Sequence, residues 1–180
     1  MKLIFTFFLV LVMTHTSLSQ TKNASESSND DLINHIIQAW EKHNSFTLLI
    51  LNSLEEEFLM DYSASKGRSV GEQFAHIHEV RLNWLMEIAP EATKNLQPIT
   101  TEKISTKTLR ESLNASSIEI KKVLAAGLKT GELKGFKGHP VNFYSYLVSH
   151  ESHHRGQILL SLKQSGHELG PQVSYGIWNW

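Results

Sequence analysis

Pro140-Val-Asn-Phe-Tyr-Ser-Tyr-Leu-Val-Ser-His150-Glu-Ser-His-His154-Arg-Gly-Gln157-Ile-Leu-Leu-Ser-Leu-Lys-Gln-Ser165 is the stretch on which the reading of this chain turns. It reads as one helix beginning just after Pro140, which is tolerated in a first turn, and running to about Ser165, with Gly166 closing it. On a helical wheel at about 100° per residue, Phe143, Leu147, His150, His154, Gln157 and Ser161 share one arc. A four-residue step sets His150 and His154 one turn apart on the same side. Two neutral imidazoles held that way can bind one transition-metal ion such as Zn, Ni, Cu or Fe. Val148 and Leu159 make the opposite side apolar as well, so the wheel alone does not settle which face is inner.

Three more helical segments precede it. The first runs from about Asp31 to Leu54, with Asp30 or Asp31 as N-cap. Leu32, Ile36, Trp40, His43, Thr47, Ile50 and Leu54 form its mainly apolar stripe. The second runs from Val70 to about Ile88, opened by the capping box Ser69/Glu72 and ended by Pro90. Its apolar arc is Val70, Phe74, Ile77, Val80, Trp84 and Ile88. The third runs from about Lys107 to Leu128 and is closed by Gly131, burying Leu109, Leu113, Ile120, Val123 and Leu124. Glu55–Arg68, Ala89–Thr106 and Lys129–His139 connect them. No alternating run is long enough for a sheet. The expected fold is therefore all-α, an antiparallel four-helix bundle in one domain.

The N-terminus reads as a targeting segment, residues 1–19. Lys2 supplies the positive end, Leu3 to Met13 is apolar except for Thr6, and Ser17 and Ser19 place small residues before Gln20. The run is shorter than the ~20 apolar residues a stable membrane span needs. Residues 20–29 are polar and rich in Ser and Asn, a flexible leader. The domain then occupies residues 30–180. The chain is thus expected to be exported, either periplasmic or extracellular.

Composition narrows the chemistry. The 180 residues carry no cysteine, a formal net charge of −1 and ten histidines. Thiolate sites and cysteine nucleophiles are excluded. No basic excess draws nucleic acid. A metal site must use His with Asp, Glu or water. No phosphate-cradling loop, dinucleotide fingerprint or Gly-x-Ser-x-Gly elbow is present. His150-Glu151-Ser-His-His154 does satisfy the zincin pattern His-Glu-x-x-His, in which Glu151 would be the general base. The competing reading makes Glu151 a solvated carboxylate.

The third ligand must come from another helix. His76 and His78 flank the apolar arc of the second helix at similar angles, with His78 marginally nearer its centre, so spacing leaves both open. His43 reads as a core or boundary residue, or as a neighbour of the metal. His153 reads as a surface residue or a partner behind the ligands. His35 is expected in solvent. His139 and His167 receive no role. Trp178 and Trp180 are expected to pack on the bundle.

Ser69-Val-Gly-Glu-Gln-Phe-Ala-His76-Ile with Trp84-Leu85, and His150-Glu-Ser-His-His154-Arg-Gly-Gln157-Ile, resemble the motifs of the DinB-like family of four-helix-bundle metalloenzymes. Gly166-His-Glu-Leu-Gly-Pro171 and Tyr175-Gly-Ile-Trp-Asn-Trp180 are similar to the C-terminus of some members. The resemblance covers roughly Asp30 to Trp180. It implies a divalent metal, Zn or Ni foremost, held by His76, His150 and His154, with an open position for water or a small-molecule substrate. It implies His76 over His78, and, since dimers are common in the family, a homodimer. Some relatives are similar to thiol-dependent transferases, a role that export into an oxidising compartment disfavours. The function expected is an exported metal-dependent hydrolase or transferase. The alternative is a non-catalytic bundle that binds a metal or small ligand. Gln157, about one turn beyond His154, is expected to orient a ligand or to support the metal-binding side chains from behind.

Overall fold

The computed structural model describes residues 29–178. The targeting segment and the leader up to residue 28 lie outside them, as does Trp180. The chain divides into two units between Ile36 and Ile37. In the first unit residues 29–36 are helical, so Asp30 and Asp31 lie inside a helix rather than capping it. Leu32, expected in the apolar stripe, is 57% exposed.

The second unit is a helical bundle without strands among its described residues. Its long helices are α1 (residues 37–52), α2 (Val70–Ile88), α3 (Thr106–Thr130) and α4 (Pro140–Gln164), followed by the short α5 (Pro171–Ser174). The boundaries have local causes. Ser69 Oγ accepts from the Glu72 N–H while the Glu72 carboxylate accepts from the Ser69 N–H, the reciprocal cap expected. Ser105 caps α3. Gly131 ends it at φ 78°, a left-handed conformation that favours glycine.

Cross-helix bonds set the directions. Trp40 bonds to Ser117, Glu41 to Lys121 and Asn52 to Arg110, so α1 and α3 run opposite ways. Gln73 pairs with His154 and Trp84 with Tyr146, so α2 and α4 are also antiparallel. His43 meets Glu151 and Thr47 meets Arg155, which makes α1 and α4 parallel. Two helices thus run each way, with α2 and α3 sharing a direction. The connection between α2 and α3 permits this. Its Leu96 is buried in one apolar cluster and its Ile104 packs against the other, returning the chain along α2 before α3 begins.

Those two clusters lie at opposite ends of the helices. One contains Ile50, Leu51, Phe74, Ile77, Leu113 and Ile158. The other contains Trp40, Leu82, Leu85, Ile120, Phe143 and Leu147. On every long helix buried polar residues lie between them: His43 and Thr47, Arg81, Ser116 and Ser117, Glu151 and Arg155. The bundle therefore carries a polar layer across its middle.

Candidate metal centre

α2 and α4 bring three imidazoles together. His150 and His154 lie one turn apart, and His76 approaches from the antiparallel α2. Ring centroids are 5.4 Å apart for His76–His150, 4.9 Å for His76–His154 and 4.5 Å for His150–His154. One ring nitrogen from each lies within 4.8 Å of the others, and such a group can hold a metal ion. His150 Nε2 and His154 Nε2 face each other at 3.0 Å. Two nitrogen ligands on tetrahedral zinc, at about 2.0–2.1 Å from the ion, would stand roughly 3.3 Å apart.

The opposite edges of the rings are anchored. His154 Nδ1 donates to Gln73 Oε1 at 2.6 Å, and His76 Nδ1 donates to Glu79 Oε2 at 3.1 Å. An acceptor on Nδ1 places the proton there and leaves the Nε2 lone pair free for an ion. Gln73 is buried, whereas Glu79 is largely exposed. His150 Nδ1 is buried without a partner. Tyr146, stacked on His150 at 5.7 Å, holds that ring instead. A cleft of about 190 Å3 opens beside His76, with Arg68, Glu72, Glu79 and Ile99 in its wall. The donor set, the fixed tautomers and the neighbouring cleft fit a divalent metal.

Electrostatics keep His150 and His154 neutral. Burial, then the charges of His150 and His76, lower His154 from 6.5 to about 4. Burial, then His76, also lowers His150. Both imidazoles are thus available as ligands at neutral pH. Because the folded-state values lie below the unfolded one, the folded protein resists taking up these protons. Stability of the metal-free protein is expected to fall as pH drops from 6.5 to about 4, and this slope should flatten in His154→Gln. Urea unfolding at a series of pH values measures it, and an unchanged slope in the variant would refute the assignment.

The remaining histidines separate cleanly. His78 is 1% exposed, and its Nε2 donates to the Gln97 carbonyl at 2.9 Å, outside the three-ring group. Of the two candidates on α2, only His76 joins the cluster. His153 is exposed, with its ring edge-on to His154 at 5.3 Å. His35 and His139 are exposed. His167 bonds to Asp61 at 2.7 Å and stacks on Phe58. Gln157 is half-buried, and it is Gln73 on α2 that hydrogen-bonds His154.

Glu151 corrects both of its expected readings. It is neither solvated nor a general base beside the metal: it is fully buried and points into the polar layer. Arg81 Nε donates to its Oε1 and Arg81 Nη2 to its Oε2, both at 2.7 Å, while His43 Nε2 donates to Oε2 at 3.0 Å. Burial alone would raise this carboxyl. The Arg81 guanidinium outweighs it and holds the group well below the usual carboxylate range. Arg81 Nη1 also donates to the Leu113 carbonyl at 2.9 Å, and its guanidinium lies 5.0 Å from the Trp40 ring. The zincin pattern is therefore met in letters only. His43 belongs to this layer, not to the metal group, and burial lowers it. Trp178 is 76% exposed, against the packing expected of it.

Sequence reasoning does not single out Arg81, Gln73, Glu79 or Arg155. Arg81 does lie in the apolar register of α2, four residues after Ile77 and seven after Phe74. A charged residue in step with a buried stripe is the available signal.

A helical bundle with three imidazoles converging between two of its helices defines a class, the bundles able to hold a metal ion from side chains on facing helices. The chain belongs to the DinB family, whose model matches residues 20–176. A search of curated proteins found no match.

Proposed function

We propose that this chain is an exported metal-dependent enzyme, a hydrolase or transferase, in which His76, His150 and His154 bind a divalent metal, Zn or Ni foremost. The observation that carries the reading is the convergence of three ring nitrogens within 4.8 Å. Export rests on the composition of residues 1–19. A metal there would act as a Lewis acid or lower the pKa of bound water towards about 7. Gln73 and Glu79 hold the ligand tautomers. Glu151 is committed to Arg81 and takes no proton from substrate. His153, exposed with its ring edge-on to His154, would be the side chain to move protons beside the metal.

The commitment of Glu151 favours a second reading, a non-catalytic metal- or ligand-binding bundle. The first test is metal content of the purified protein. About one metal per chain is expected, lost in His76→Ala, His150→Ala and His154→Ala and kept in His78→Ala. Metal-free protein in every preparation, with stability unchanged by added Zn or Ni, would refute the enzyme reading and the metal-binding form of the second. A screen of ester, amide and phosphoester hydrolysis, repeated after chelation, separates enzyme from binder: chelator-sensitive turnover supports the first.

A further inference from the structure

On the other side of α4 a cleft runs between α1, α4 and the C-terminal segment. It has two lobes of about 190 and 300 Å3, which share Phe46, Ser152, Arg155 and Ile177. Their combined size reaches the lower range of small-ligand sites. Val148, Ser152 and Arg155 face it, about half a helical turn away from His150 and His154.

The polar layer behind this cleft is unbalanced. Arg81 and Arg155 bring two positive charges, Glu151 one negative charge, and His43 is held neutral by burial. Both Glu151 oxygens are taken by Arg81. Arg155, only 6% exposed, meets neutral groups: Thr47 Oγ1 at 3.1 Å, Ser152 Oγ at 2.8 Å and the His43 ring. Among the described residues no carboxylate bonds to it. Glu151, bound to Arg81, attracts it without a hydrogen bond; a guanidinium withdrawn from water without a bonded anion is costly, and its planar fork matches a carboxylate. Tyr144, Val148 and Leu159 line the rest of the cleft. At its rim Ile177 is 46% and Trp178 76% exposed, apolar surface that a ligand would cover.

We infer that this cleft is a second, metal-independent binding site for a small apolar monocarboxylate, its carboxylate set against Arg155 and its body between Tyr144, Val148 and Trp178. One monoanion balances the one excess positive charge of the layer.

The test uses the full protein and phenylacetate as probe, followed by titration calorimetry and thermal unfolding. Saturable binding is expected, with phenylacetamide weaker by about tenfold or more because the charge-assisted bonds are lost. Binding should persist after chelation and in His150→Ala, which separates this site from the metal centre. Val148→Trp, which fills the cleft and spares Arg155, should abolish it. Arg155→Met adds a direct test where it folds. Absence of binding at millimolar phenylacetate would overturn the proposal. So would equal affinity for acid and amide, or binding that disappears with the metal.

Discussion

Glu151→Gln is expected to lower the unfolding free energy by about 3–5 kcal/mol, and Arg81→Met by a similar amount. Neither group reaches water, and each is the other's principal counter-charge at 2.7 Å. Removing one leaves an uncompensated ion in the core. Removing both takes the ion away together with its partner and leaves Arg155 as the layer's one charge, so Arg81→Met combined with Glu151→Gln should cost less than the sum. Urea titration followed by circular dichroism gives all three values. Single-variant losses below about 1 kcal/mol, or a double variant that costs the full sum, would show that the pair is not coupled as its geometry indicates. The pH dependence has a definite sign. The carboxyl lies lower in the folded state than its ordinary 4.5. Its stabilising contribution is whole above pH 4.5 and drains away as pH falls below that value.

Gln73→Leu is expected to weaken metal binding by about 10–100-fold, the usual effect of removing the group behind a histidine ligand. Gln73 is buried and its Oε1 accepts the His154 Nδ1 proton at 2.6 Å, which directs Nε2 to the other ring edge. Leucine has similar volume and no acceptor. Gln73→Glu retains the acceptor and should retain affinity. Competition with a chromophoric chelator reads both. Affinity of Gln73→Leu within about twofold of the parent would mean that ring packing alone orients His154.

The helices are legible in the sequence because their signals are local. Ser69 and Glu72 bracket the start of α2, Pro140 opens α4, and Gly131 closes α3 in the conformation it favours. The i,i+4 step of His150 and His154 follows from helix geometry and needs no tertiary information. The polar layer is not legible. Arg81 and Glu151 are individually ordinary charged residues, and only their meeting across α2 and α4, with His43 of α1 also bonded to Glu151, makes their burial tolerable. The stripe of α2 departs from its expected arc for the same reason. Leu82 and Leu85 are buried beside Arg81, while Val80 and Trp84 are only half-buried.

The sequence by itself determined that this chain is all-α, where α2 and α4 begin and α3 ends, and that one helix presents two imidazoles on one side. Periodicity, caps and helix-terminal glycines act within a few residues, so they survive in the one-dimensional record. Spacing left His76 and His78 open and the family resemblance pointed to His76; the tertiary structure brings that ring to the other two imidazoles and turns His78 to the Gln97 carbonyl. The two differ by the angle of a side chain leaving one helix, and a wheel cannot say which neighbour stands there. It likewise decided that Glu151 is the buried anion of the core and that Gln73 backs His154. Both depend on what α2 places opposite α4, and on the returning connection between α2 and α3 that sets the two middle helices parallel.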